Sequence, residues 1–125
     1  MSRHEIGIDV VDIERIRRTL SRYRDRFRRR VLTPREDRYC GTRVERVAGR
    51  WAAKEAVSKV LGLGVRGVGW REIEVLPNSA GQPQVALHAR AAARAAALRL
   101  EEVTVSISHE RGTAVAVAIA HREQA

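Results

Sequence analysis

The feature that most constrains this chain is an alanine-rich stretch, residues 48–61, which two closely spaced glycines follow. The stretch contains no proline and one interior glycine, Gly49, so its intrinsic preference is helical. Apolar side chains recur at helical spacing, which predicts a helix over residues 43–61 with one buried face. Gly62 stands where a helix end favours a left-handed backbone. We therefore expect a long helix around which the rest of the chain packs.

The length of 125 residues fits a single domain, residues 1–125, that can bury a core without disulfides or metals. No apolar run approaches the length of a bilayer span, and no signal-peptide pattern is present, so we expect neither membrane insertion nor secretion. The single cysteine, Cys40, cannot form an intramolecular disulfide and fits a reducing cytoplasm. Neither a CxxC pair nor a His/Cys cluster argues for zinc.

Net charge gives the first indication of a partner. The formal charge of +9 suits a polyanion, namely nucleic acid, an anionic membrane or an acidic protein. Arginines concentrate in an amphipathic helix predicted over residues 13–23 and in the run that follows, residues 24–32. This region lacks interleaved aromatic residues and matches no helix-turn-helix or RRM signature. An acidic helical partner is therefore at least as good an interpretation as nucleic acid.

Residues 6–11 are typical of a short buried strand, and Asp9 interrupts it. A carboxylate is costly to bury there unless a charge or hydrogen-bond donors meet it. Asp12 is better placed to cap the helix that follows. The position of Asp9 consequently has no structural explanation in the sequence.

The remaining elements predict an α+β fold. Thr33, Pro34 and Glu36 have the pattern of a helix N-cap with a capping box. The other predicted elements are a hairpin over residues 73–76 and 84–87, a helix over residues 89–100, and strands over residues 103–109 and 114–120. Residues 62–69 carry four glycines and predict a flexible connection or a backbone-lined anion loop. The order of these predicted strands and helices along the chain indicates an antiparallel sheet packed on the long central helix.

Three polar side chains stand where a core would favour apolar ones: Asp9, Glu55 on the long helix, and His109 at the end of a strand. Two carboxylates from different elements suit Mg²⁺, which is held by one or two carboxylates together with water and phosphate oxygens. Lys59, one turn after Glu55, would then neutralise a phosphate beside the metal. The alternative is a surface ion pair between Lys59 and Glu55.

Five stretches lie in an order that resembles one enzyme family. They are residues 6–9 (Ile-Gly-Ile-Asp), 27–36, 48–59 (Ala-Gly-Arg-Trp-Ala-Ala-Lys-Glu-Ala-Val-Ser-Lys), 73–83 and 105–109 (Val-Ser-Ile-Ser-His). Together they resemble the holo-[acyl-carrier-protein] synthase family, the short 4'-phosphopantetheinyl transferases, and imply that fold. Leu63 departs from the family, which commonly has a threonine there.

The resemblance implies a catalytic set of Asp9, Glu55 and Lys59. Asp9 and Glu55 would hold Mg²⁺, which also coordinates the pyrophosphate of coenzyme A, and Lys59 would contact the phosphates of that cosubstrate. Either Glu55 or a metal-bound water would take the proton from a serine on the carrier protein. The serine oxygen would attack the β-phosphate of coenzyme A and release 3',5'-ADP.

The resemblance also assigns the remaining binding residues. The phosphoadenosine end of coenzyme A would lie among Arg50, Ser108 and His109. An acidic acyl carrier protein of fatty-acid or polyketide biosynthesis would dock on Arg15, Arg26 and Arg30. The family resemblance implies a homotrimer with active sites between protomers. The alternatives are a basic module that binds RNA or DNA, and a subunit that binds coenzyme A without turnover.

Overall fold

The computed structural model describes residues 2–62 and 68–123, so most of the predicted glycine loop, including Leu63, lies outside the described residues. The elements are β1 (Ser2–Asp12), α1 (Ile13–Tyr23), α2 (Asp25–Val31), α3 (Pro34–Cys40), α4 (Val44–Leu61), β2 (Ile73–Pro77), β3 (Pro83–Leu87), α5 (Ala89–Ala97), β4 (Leu100–Glu110) and β5 (Thr113–Glu123). The predicted α+β class is confirmed. No helix in these described ranges is long and apolar enough to cross a bilayer.

The strands of the described residues form two antiparallel sheets. One has the order β1-β5-β4, and the other is the β2–β3 hairpin. The three-stranded sheet packs on α4 through small side chains, because alternate residues of β5 and one side of α4 are alanines. These buried alanines are Ala48, Ala52, Ala53 and Ala56 on α4, and Ala114, Ala116, Ala118 and Ala120 on β5. Small residues on both surfaces let the helix and the sheet approach closely.

The long helix is buried on more than the one predicted face. It begins after Arg43 and ends at Gly62, whose φ of 79° gives the left-handed end that the sequence predicted. Strands β1 and β5 cover one side, while α1, α3 and α5 pack against the others. Three polar side chains of α4, Arg50, Lys54 and Ser58, are buried as well. The helix is therefore the centre of the core and carries functional groups into it.

The prediction that residues 6–11 form a buried strand is wrong for one face of β1. Gly7 and Val11 face α4 and are buried, whereas Ile6, Ile8 and Val10 are 65%, 53% and 61% exposed. Side chains alternate along a strand, and the described part of the chain has no layer on the second face. Val117 and Ile119 on β5 continue this exposed aliphatic surface, which we call the outer face.

The helix caps predicted from the sequence are present in the structure. Asp12 caps α1 by accepting from the Glu14 amide at 3.0 Å. The predicted capping box of α3 forms between Thr33 and Glu36. Arg24 interrupts the basic region with a φ of 50°, so that α1 and α2 are separate helices. The last predicted helix ends earlier than expected, at Ala97, and β4 already begins at Leu100.

Candidate active site

The two carboxylates that the sequence singled out, Asp9 and Glu55, line one cavity of about 450 Å³. Asp9 lies on the face of β1 that packs against α4, and Glu55 projects from α4. Gly7 makes this possible, because β1 lies directly against the α4 backbone at Ala56, where a side chain on residue 7 would not fit. Trp51 forms part of the cavity wall. The structure therefore brings together two acidic groups that are 46 positions apart in the sequence.

Lys59 is fixed beside this acidic pair. Its ammonium donates to the carbonyl oxygen of Ile8 at 2.7 Å and lies 3.5 Å from the Asp9 carboxylate. The ion pair thus joins α4 to β1, in place of the pair with Glu55 that the sequence left open. About half of the Lys59 side chain is exposed, so its charge can also reach a ligand in the cavity.

The electrostatics of the cavity favour a cation. Burial raises the pKa of Glu55, the nearby Asp9 charge raises it further, and Lys59 opposes the shift. A carboxylate beside a second one is destabilised in its ionised form until a positive charge compensates both. Two carboxylates, with space left for water and phosphate oxygens, are the donor set that Mg²⁺ uses. Asp9 and Glu55 therefore fit a magnesium ion.

A second cavity, of about 400 Å³, is lined by arginines and by His109 at the end of β4. Arg50 is buried, and its Nε and Nη1 atoms have no hydrogen-bond partner among the described residues. Arg46, one helical turn earlier, lines the same cavity. Leaving a buried guanidinium unsatisfied costs free energy that an anion would recover. This arginine cavity therefore has the chemistry of an anion site.

Ser108 and His109 lie on opposite faces of β4. His109 and Ile107 line the arginine cavity. Ser108 pairs with Val115 of β5, and because strand side chains alternate it projects to the outer face. A role for Ser108 at the phosphoadenosine end of a ligand stays a prediction, and it would require the ligand to contact the outer face.

The three arginines predicted to dock a carrier protein lie on neighbouring helices. Arg26 and Arg30 of α2 line an exposed groove of about 680 Å³ together with Tyr23 and Phe27. Arg15 of α1 lines the cavity of Asp9 and Glu55. Phe27 is common to the groove and to that cavity. The basic groove therefore opens next to the acidic pair.

Lys54 has a structural role that was not predicted from the sequence. Its ammonium is fully buried and donates to Glu36 at 2.7 Å, to the Trp70 carbonyl at 2.9 Å and to the Ile73 carbonyl at 2.5 Å. Burial lowers the pKa of Lys54, and Glu36 opposes that shift. The pair ties α4 to α3 and β2. Its signal was present in the sequence, because Lys54 lies seven residues from both Val47 and Leu61 on the apolar side of the helix.

Comparison with known proteins decides the family. Residues 5–120 match the 4'-phosphopantetheinyl transferase superfamily. The holo-[acyl-carrier-protein] synthase of Gloeobacter violaceus is 47% identical over 117 residues, which cover 90% of this chain and 89% of the relative. The chain belongs to the holo-[acyl-carrier-protein] synthase family. A further holo-[acyl-carrier-protein] synthase, from Herpetosiphon aurantiacus, is 41% identical and covers 90% of the chain.

Solved holo-[acyl-carrier-protein] synthases share the fold. The Helicobacter pylori enzyme in complex with coenzyme A gives a TM-score of 0.84 at 31% identity, covering 92% of this chain and 98% of that one. The Plasmodium yoelii acyl carrier protein synthase with ADP bound gives 0.87 at 27% identity, covering 99% of each chain. The family predicted from the sequence is confirmed, and the chain is an enzyme of the holo-[acyl-carrier-protein] synthase type.

Proposed function

We propose that this chain transfers the 4'-phosphopantetheine group of coenzyme A to a serine hydroxyl of an apo-acyl carrier protein, in a magnesium-dependent reaction that releases 3',5'-ADP. The observation that carries the proposal is the meeting of Asp9 and Glu55 in one cavity beside Lys59. Phosphoryl transfer needs positioning and neutralisation of oxygen charge more than covalent help from the protein. An acidic pair with a lysine beside it can provide both.

Asp9 and Glu55 would hold the magnesium ion, because they are the carboxylates that line this cavity within the described part of the chain. When bound, the ion would neutralise charge on the phosphate oxygens of coenzyme A. Lys59 is held beside β1 by the Ile8 carbonyl, so its ammonium is already oriented before a ligand arrives. It would contact a phosphate of the cosubstrate and reduce the charge that the attacking serine oxygen meets.

Glu55 is our candidate for the group that accepts the serine proton. Its pKa is raised by burial and by Asp9, which makes it a better proton acceptor than an ordinary surface carboxylate. The serine oxygen would form a bond to the β-phosphorus of coenzyme A. The bond from that phosphorus to the bridging oxygen would break, and 3',5'-ADP would leave with the electron pair.

The phosphoadenosine end of coenzyme A would occupy the arginine cavity. Arg50 offers two buried donor nitrogens, Nε and Nη1, without partners among the described residues, and His109 lines the same space. These are the donors that a phosphate group would satisfy. Among the solved relatives, those of Helicobacter pylori and Chronobacterium ammoniagenes are complexes with coenzyme A, which supports the same ligand here.

The carrier protein would dock on α1 and α2 through Arg15, Arg26 and Arg30. Charge complementarity of this kind speeds encounter and fixes the orientation of an acidic partner. We expect Arg15→Glu to raise the KM for the carrier far more than the KM for coenzyme A. Arg38→Glu makes the same charge change on the exposed part of α3 and serves as the control. Equal effects of Arg15→Glu on both KM values would assign Arg15 to the nucleotide instead.

We further propose that the active assembly is a homotrimer formed through the outer face. Five large aliphatic side chains, Ile6, Ile8, Val10, Val117 and Ile119, are exposed there on paired strands. Contiguous apolar patches on a soluble protein mark interaction surfaces. Sedimentation equilibrium should give three times the chain mass, and Ile8→Lys should lower it to that of one chain. A fully active monomeric wild type would contradict the trimer.

The modified carrier would serve fatty-acid or polyketide biosynthesis in the cytoplasm. The acquired arm ends in a thiol, which is the group on which such carriers hold acyl chains. A reducing compartment keeps that thiol free, and the single buried cysteine of this chain is compatible with it. Assays with fatty-acid and polyketide carriers would separate the two pathways.

The direct test is incubation with apo-acyl carrier protein, coenzyme A and Mg²⁺, followed by mass spectrometry. We expect the carrier to gain one phosphopantetheine arm. Glu55→Gln should keep the fold and lose at least about 10²-fold in rate, because it removes a metal ligand charge and the proton acceptor. Glu102→Gln, an exposed carboxylate on β4, is the control. Near-normal activity of Glu55→Gln would contradict the metal assignment, and salt-sensitive RNA binding without any transfer would favour nucleic-acid binding.

A further inference from the structure

Tyr39 lies in the last turn of α3, where its ring meets two arginines of α4. The guanidinium carbon of Arg46 lies 4.3 Å from the ring centroid, and that of Arg50 lies 4.9 Å from it. Arg46 also donates from Nη1 to the Tyr39 carbonyl oxygen at 2.9 Å. All three residues line the arginine cavity. One aromatic ring is therefore the shared partner of two of the arginines that line this cavity, Arg46 and Arg50.

Two guanidinium groups held near one another repel, and the burial of Arg50 adds a desolvation cost. Within residues 2–62 and 68–123, neither Arg46 nor Arg50 takes part in a salt bridge, although Glu45 also lines the cavity. The negative face of an aromatic ring attracts a cation without forming directional hydrogen bonds. The ring of Tyr39 can thus hold both side chains without using their N–H groups, and among the described residues only Nη1 of Arg46 is engaged, by the Tyr39 carbonyl oxygen.

We infer that Tyr39 is a positioning residue that holds Arg46 and Arg50 ready for the phosphoadenosine end of coenzyme A. This inference rests on the proposed function. A long arginine side chain loses rotamer freedom when it binds an anion, and ordering it beforehand lowers that cost. Tyr39 would therefore strengthen nucleotide binding through the arginines, without contacting the reacting phosphorus itself.

Two substitutions distinguish the contribution of the aromatic ring of Tyr39 from the contribution of its side-chain volume. Tyr39→Leu keeps an apolar side chain but removes the π-system, while Tyr39→Phe keeps the ring and removes only the hydroxyl. The probe is 3',5'-ADP, titrated calorimetrically into the full chain, with thermal unfolding as the measure of fold. We expect Tyr39→Leu to weaken 3',5'-ADP binding about five-fold. We expect Tyr39→Phe to bind within about two-fold of the wild type.

Kinetics with coenzyme A and with dephospho-coenzyme A, which lacks the 3'-phosphate, distinguish positioning from a general loss of structure. Tyr39→Leu should raise the KM for coenzyme A while leaving kcat and the KM for dephospho-coenzyme A close to those of the wild type. Equal losses on the two cosubstrates would overturn the inference. Unchanged 3',5'-ADP affinity in Tyr39→Leu would overturn it as well.

The failure of this inference is distinguishable from the failure of the proposed function. Arg50→Met removes the buried guanidinium and should weaken 3',5'-ADP binding more than Tyr39→Leu does. If Arg50→Met weakens binding while Tyr39→Leu does not, the nucleotide still occupies the arginine cavity and Tyr39 has no positioning role. If Arg50→Met has no effect, the nucleotide lies elsewhere, and both the assigned cavity and the inference fail.

Discussion

The close approach of β1 to α4 at Gly7 gives the sharpest test of how this fold builds its site. A Cβ atom on residue 7 would overlap the carbonyl oxygen of Ala56 and lie 3.1 Å from the Cβ of Lys59. The carbonyl belongs to a buried helix and cannot rotate away without losing its hydrogen bond. We therefore expect Gly7→Ala to push β1 away from α4, rather than to be absorbed by a side chain.

The size of the effect follows from that overlap. Restoring van der Waals contact requires the strand to retreat by on the order of 1 Å, and overpacking of this kind costs about 1–3 kcal/mol in the free energy of unfolding. Asp9 is two residues away on the same face of β1 and would move with the strand. Because a 1 Å misplacement in an active site costs about 10²-fold in rate, the loss of activity should exceed what the loss of stability explains.

The assay is the initial rate of carrier modification across a Mg²⁺ titration, measured together with denaturant unfolding. Gly41→Ala is the matched control, because Gly41 has a φ of 51° and no atom within 4 Å of a built Cβ. That variant should lose about 1 kcal/mol through backbone strain while keeping its rate and its Mg²⁺ dependence. If Gly7→Ala shows the wild-type rate at wild-type Mg²⁺ concentrations, the close approach does not position Asp9.

Three further predictions concern stability. Arg24→Gly should raise the free energy of unfolding by about 1 kcal/mol, because Arg24 holds a φ of 50° that glycine adopts without strain; an unchanged denaturation midpoint would refute this. Burial raises the pKa of Cys40 to about 11 from 9.0, so stability should fall by roughly 2 kcal/mol as pH rises from 9 to 11, and Cys40→Ala should remove that part of the slope. Lys54→Met should cost about 3–5 kcal/mol by leaving Glu36 buried and unpaired, and adding Glu36→Gln should recover part of it; additive losses would contradict the pairing.

Much of the fold could be predicted because its signals are local. The helix ending at Gly62, the cap at Thr33 and the Asp12 cap depend on residues within one or two turns, and the structure contains all of them. The exposed face of β1 could not be predicted. Apolar residues such as Ile6 and Ile8 occur in strands that are covered on both faces, and here they lie on an exposed one. The break between α1 and α2 at Arg24 could not be predicted either, since arginine has no preference for a left-handed backbone.

The features of the candidate site also differ in whether the sequence could predict them. Asp9 and Glu55 could be identified as candidates because each is polar within an apolar element, and the fold places both in one cavity. The partners of each side chain depended on packing between distant elements. Lys59 pairs with Asp9 rather than Glu55, and Lys54 pairs with Glu36, which lies 18 positions earlier. Helical spacing alone carries no information on such contacts.

The measurement that tests the central claim most directly is a titration of Mn²⁺, a paramagnetic substitute for Mg²⁺, followed by electron paramagnetic resonance. Wild type, Asp9→Asn and Glu55→Gln would be compared under the same conditions. The two carboxylates predict one bound ion per active site in the wild type, and a large loss of affinity in each single variant. Wild-type affinity and stoichiometry in both variants would show that Asp9 and Glu55 do not share a metal ion.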